Sequence, residues 1–188
     1  DKAPENDVNF IDYDGSILYS YTADDFLNLT EMPANPSHEG LVAKGWGWTL
    51  EEAQDFVTRN GVHTLGQQYV TDNNRFRFHI KIDTETETGM TFGVKITGNS
   101  TIYWGDNNIT ETTSSTATVY SHLYTELNNY IVEIENKTPS NQITVDTEKN
   151  PESIIEINFP ESGFKISSYP FVGCYFLEKY SYWDNPSF

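Results

Sequence analysis

Trp104-Gly105-Asp106, followed by His122-Leu123-Tyr124, brings a carboxylate, an imidazole and aromatic rings into one short part of the chain. A carboxylate that orients a histidine is the pairing behind general-base chemistry. Hydrolysis through such a pair also needs a nucleophile held against the base, and the chain has no G-x-S-x-G elbow. The order is a Trp-Gly-Asp turn, a Thr/Ser-rich crossing, and a His-x-Tyr step into the alternating segment Tyr130-Ile131-Val132-Glu133-Ile134. That spacing makes the stretch a folding signature rather than an active site.

Other candidate groups fail on spacing. Asp12-x-Asp14-Gly15 opens like a calcium loop, but the loop would need Gly and Glu where the chain has Ile17 and Ala23. A plain turn is expected there. Gly105-Asp106-Asn107-Asn108 offers oxygen ligands, yet a turn-capping Asp is the expected role. His38, His63, His79 and His122 lie far apart, with no H-E-x-x-H spacing, so neither a metal site nor a cofactor is expected. Cys174 has no histidine near it in sequence and is read as a buried structural residue. With 28 acidic residues some pair always lies at a glycosidase-like separation, so the sequence selects none and the chain is read as non-enzymatic. Four tryptophans and 12 tyrosines can supply a sugar-stacking surface, for which Trp48 and Trp183 are the candidate ligand-binding residues.

The chain carries 28 acidic and 11 basic residues, a net charge of −17. That excludes a phosphate-backbone partner, which needs clustered Lys and Arg, so no nucleic acid is expected. Arg75, Arg77, His79 and Lys81 share one strand and are read as a solvated face or as intramolecular partners of the acidic surface. The single cysteine rules out an internal disulfide. No apolar run reaches about 18 residues, so no transmembrane segment is expected. Residues 1–7 read as a polar leader of the kind left when a signal sequence is removed. Four Asn-x-Thr sequons, at Asn28, Asn99, Asn108 and Asn136, are read as incidental.

The elements that must position these groups are mostly strands. Residues 8–21 read as a hairpin turning at Asp14-Gly15. Residues 22–25 open a short helix, and Pro33 to Pro36 must be extended. Thr49-Leu50-Glu51-Glu52 is a capping box, with Leu50, Ala53, Phe56 and Val57 at helical spacing and Asn60-Gly61 as the stop. From Tyr69 the period becomes two: Phe76, Phe78, Ile80 and Ile82 alternate with charged residues. Further strands are expected at 91–95 and 100–104, joined at Gly98-Asn99, and a loop or edge strand at 107–118. The turn formers at 137–141 read as a domain boundary. Beyond them residues 154–159 repeat as 177–182, a period of 23 and the size of one leucine-rich repeat.

Three segments resemble known modules. Residues 8–18 (VNFIDYDGSIL), Pro33 and Pro36, His38-Glu39-Gly40 and Gly45-Trp46 resemble the internalin B-repeat family, a β-grasp-like module, with the helix 49–60 replacing strand and loop. Residues 102–134 resemble a polycystic-kidney-disease (PKD) type domain, an immunoglobulin-like sandwich: Trp104, Gly105, Asp106, His122, Tyr124, Tyr130 and Val132 sit on its pattern. Asn107 replaces the turn's second glycine, and Asn128 or Asn129 the glycine before the last strand. Residues 166–177 (ISSYPFVGCYFL) resemble a BspA-type leucine-rich repeat, with Phe171, Cys174 and Leu177 on its inward positions. The resemblance implies that Trp46 and Trp104 are buried and that Asp106, His122 and Tyr124 are structural.

The expected architecture is mainly β, in three parts: a β-grasp-like unit at 1–70, a PKD-type sandwich at 71–138, and a partial leucine-rich repeat or cap at 139–188. The function implied is a non-catalytic module of an extracellular, bacterial surface or secreted protein. Its expected partner is a host or matrix protein or a glycan. The alternative is a carbohydrate-binding module of a secreted glycan-utilisation protein.

Overall fold

The computed structural model describes residues 6–166 and 171–181, so residues 1–5 of the leader and Trp183 lie outside the described residues. The fold is mainly β, and the chain divides between Val70 and Thr71 into two compact units. No helix among the described residues is long and apolar enough to cross a membrane.

In the first unit the chain runs β1 (Val8–Ile11), β2 (Ile17–Tyr21), α1 (Ala23–Leu27), β3 (Leu41–Gly45), α2 (Leu50–Asn60), β4 (His63–Gly66) and β5 (Gln68–Thr71). β1 and β2 form the expected antiparallel hairpin, and β1 also pairs in parallel with β4. β3 pairs with β5 in a second, two-stranded sheet. Phe10 is the hub of the core: Tyr19, Tyr21, Phe26 and Trp46 all set their rings 4.9–6.4 Å from it. α2 starts as its sequence requires. Thr49 Oγ1 accepts from the Glu52 amide, and the Glu52 carboxylate accepts from the Thr49 amide at 2.9 Å. Gly61, at φ 78°, closes it with a bond from its amide to the Val57 carbonyl. The Gln54 side chain donates to the Phe26 and Leu29 carbonyls, tying the end of α1 to α2.

The second unit is a two-sheet sandwich. Its strands are β6 (Phe76–Ile82), β7 (Thr91–Thr97), β8 (Ser100–Tyr103), β9 (Ile109–Thr112), β10 (Thr118–Leu123), β11 (Asn128–Asn136), β12 (Ile143–Lys149), β13 (Ile154–Asn158), β14 (Phe164–Ile166) and β15 (Lys179–Ser181). One sheet has the order β10-β7-β12-β14, the other β15-β13-β6-β11-β8-β9. Phe76, Phe78, Ile80 and Ile82 face inward from β6, as the alternation requires. They meet Phe92, Val94 and Ile96 of β7, with the Phe78 and Phe92 rings 5.7 Å apart. The segment around 107–118 supplies an edge strand, β9.

The boundary expected at 137–141 is corrected. The turn there carries the chain from β11 in one sheet to β12 in the other, and β12 and β13 then pair with β7 and β6. Turn formers mark a crossing between sheets as readily as a gap between domains. The described residues from 139 to 181 therefore complete the sandwich and are not a separate body. The 23-residue repeat is real in space. β13 and β15 pair in parallel, Glu156 opposite Lys179, Ile157 opposite Tyr180 and Asn158 opposite Ser181. β12 and β14 pair in parallel in the other sheet, Ile143 opposite Phe164. Phe171, Cys174 and Leu177 pack against the sandwich core. Among the described residues this amounts to one parallel pair in each sheet and not a solenoid.

Ile143, Val145, Ile154, Ile157 and Phe159 are all buried. At about 1.5–3 kcal/mol each their burial is worth on the order of 10 kcal/mol, comparable to the whole stability of a domain, about 5–15 kcal/mol. A chain cut after Thr138 is expected to lose the sandwich's cooperative thermal transition and to bind a hydrophobic dye, read by circular dichroism and fluorescence. A retained transition with native near-ultraviolet signal contradicts the corrected boundary.

Candidate functional site

Trp104 is 1 % exposed. Its indole nitrogen donates to Thr110 Oγ1 at 2.9 Å, and its ring lies nearly parallel to that of His122 at 5.3 Å. His122 Nε2 is 2.7 Å from Asp106 Oδ2. Asp106 also accepts from the backbone and side-chain amides of Asn108, at 3.1 and 3.0 Å. Tyr124 donates to the Trp104 carbonyl at 2.8 Å. Burial works to raise the Asp106 pKa, but the hydrogen bonds from His122 and Asn108 outweigh it and hold the carboxyl below its usual value. The Trp104 indole nitrogen, the Asp106 carboxylate, His122 Nε2 and the Tyr124 hydroxyl are all turned onto their neighbours, which is the geometry of a structural staple.

The turn itself has a steric reason for its glycine. Gly105 has φ 88°, and a Cβ there would meet the Ile131 carbonyl oxygen at 2.6 Å. Asn107 sits at φ 72°, so asparagine does take the left-handed position. Asn128 and Asn129 do not have positive φ.

A second histidine–carboxylate pair, in the first unit, escaped the sequence. Asp12 is 6 % exposed. It accepts from the Tyr69 hydroxyl at 2.6 Å and from the Tyr13 amide at 2.8 Å, and lies 2.7 Å from His38 Nε2. The rings of Tyr13, His38 and Tyr69 lie 4.8–5.3 Å from one another. Burial, then the bond to Asp12, pushes the Tyr69 phenol far above its ordinary value. Asp14 accepts from the Ser16 amide at 2.9 Å and so caps the hairpin turn. No group of three or more potential ligands for a metal ion occurs among the described residues.

The basic strand residues find intramolecular partners. Arg75 lies 4.1 Å over the Tyr103 ring and 3.4 and 3.5 Å from Glu133 and Glu135. His79 is 3.7 Å from Glu156, and Lys81 is 3.5 Å from Asp83. Cys174 is half-buried, and burial pushes its thiol up to about 11. It stays protonated at neutral pH, when only a thiolate is a nucleophile.

The tryptophan pair at 46 and 48 splits between core and surface. Trp46 is 4 % exposed and donates to the Pro33 carbonyl at 2.9 Å. Gly47, at φ 75°, lets the next side chain leave in another direction, and Trp48 is 40 % exposed. Its ring is held by Phe56 at 5.5 Å and His63 at 4.7 Å, inclined by 64° and 81°. These neighbours brace one exposed indole; they do not extend it into a flat platform. Trp183, the other ligand-binding candidate, lies outside the described residues. No family model, curated protein or solved structure matches the chain.

His63 closes the Trp48 cluster with its Nε2 buried and unpartnered among the described residues. Burial lowers its pKa, so the unfolded chain takes up the proton more readily than the folded one. The penalty is absent above the unfolded histidine value, about 6.5, and grows as pH falls below it. Between about pH 7.5 and pH 5 the thermal midpoint of the parent is expected to fall relative to that of His63→Phe. A difference independent of pH contradicts the assignment.

Proposed function

We propose that the chain is a non-catalytic module of a bacterial surface or secreted protein, which presents a repeat-based binding region to a host or matrix protein or glycan. The observation that carries this reading is the parallel, in-register pairing of β13 with β15 at the offset of the sequence repeat. The chain passes in turn through β12, β13, β14 and β15, alternating between the two sheets and adding one parallel strand to each. That is how one coil of a repeat stack is laid on the next, and it supports the resemblance to a BspA-type repeat growing from the edge of a sandwich.

Three further features support it. The burial of Trp104 and the staple of Asp106, His122 and Tyr124 fit the roles that the PKD resemblance implies. Both histidine–aspartate pairs are spent on holding the fold. A net charge of −17 suits a self-repelling surface protein. The second reading, a carbohydrate-binding module, is favoured by the exposed indole of Trp48.

Immobilised matrix proteins and a glycan array, each titrated with the full chain and with Trp48→Ala, separate the two. Saturable protein binding that survives Trp48→Ala is expected. Glycan binding lost on that substitution supports the second reading instead. Saturable binding to neither overturns both.

A further inference from the structure

The turn at 171–177 has two sides. Phe171, Cys174 and Leu177 pack inward, while Val172, Tyr175 and Phe176 are 68 %, 83 % and 66 % exposed. Beside it a cavity of about 460 Å³ opens between the end of β6, the start of β13 and the approach to β15. Ile155 and Phe176 are its apolar lining, and Lys81, Asp83, Glu152 and Glu178 its charged rim. Lys81 is already paired with Asp83 at 3.5 Å. Glu152 and Glu178 have no ion-pair partner among the described residues.

An aromatic ring, an aliphatic wall and two unpaired carboxylates match the parts of an arginine. The methylene stem lies on apolar surface, the guanidinium covers a ring, and its fork engages carboxylates. The sandwich already contains such an arrangement. Arg75 lies 4.1 Å over Tyr103, within 3.4 and 3.5 Å of Glu133 and Glu135. The cavity holds the same set, Phe176 with Glu152 and Glu178, without an arginine of its own.

We infer that this cavity is a docking site for an arginine-bearing segment of a partner protein. The inference rests on the reading of the chain as an interaction module and names the chemistry of its partner. Glu178, one residue before β15, is held at the cavity by its amide, which donates to the Ile155 carbonyl at 2.8 Å. The acidic charge of the whole chain steers cationic partners toward it. The planar fork makes arginine the better occupant than lysine.

The test is fluorescence anisotropy of labelled nonapeptides alternating Arg and Val, Lys and Val, or Glu and Val, titrated with the full chain. The Arg peptide is expected to bind several-fold more tightly than the Lys peptide, and the Glu peptide not to bind. Phe176→Ala and the double variant Glu152→Gln/Glu178→Gln are each expected to weaken the Arg peptide roughly 10-fold. Asp24→Asn/Glu51→Gln changes the net charge equally at residues outside the cavity lining and is expected to leave binding within about twofold. Equal losses in the two double variants, no effect of Phe176→Ala, or displacement by neutral glycans would overturn the site. Matrix-protein binding that persists through the cavity variants leaves the interaction reading standing and removes this site from it.

Discussion

Strand β6 turns Phe76, Phe78, Ile80 and Ile82 to one side, and the larger unit is assembled on those four side chains. β6 is hydrogen-bonded to β11 on one edge and β13 on the other, so its backbone is satisfied within the sheet. Its inner face is answered by β7 across the sandwich. A slip of one residue would drive Arg77, His79 and Lys81 into that core, and this pins the register of both neighbours. The outer face carries the cost of the alternation: its cations are matched by Glu133, Glu135, Glu156 and Asp83. Exposed pairs of this kind add little stability each, so their role is to make a charged face compatible with a strongly acidic chain.

Local patterns were the legible part of the sequence. The alternation of β6, the capping box at Thr49 and Glu52 and the hairpin turn at Asp14-Gly15 are contained in a few consecutive residues, and each appears where its physics requires. The burial of Trp46 was implied by the module resemblance and not by a local pattern; Gly47, at φ 75°, is what lets Trp48 leave in another direction. Pairing across the chain was not legible. Turn formers at 137–141 announce a change of direction without saying whether the chain leaves the domain or crosses to the opposite sheet. Asp12, His38 and Tyr69 meet across 26 and 57 residues of chain, and no spacing rule links them. The 23-residue repeat is the exception: it predicted a real long-range contact, because parallel strands in register preserve a sequence offset.

The distribution of polar groups then limits where function sits. Acid–base pairs and the cysteine are absorbed by packing, and the larger cations of β6 are occupied. Among the described residues, outward aromatic groups include the braced Trp48 indole on the first unit, and on the second the exposed turn beside its acidic cavity. Both are carried on strand-built scaffolds and are where the proposed recognition would sit, and the second stands at the edge where parallel strands begin to stack. Its rigidity depends on β12 and β13 being integral to the sandwich.

Amide hydrogen exchange across a denaturant series, resolved strand by strand, tests that dependence most directly. The account predicts that β6, β7, β11, β12 and β13 lose protection together through one shared opening, while the edge strands β14 and β15 exchange earlier. Early loss of protection at 143–158, with 76–82 still protected, would contradict it.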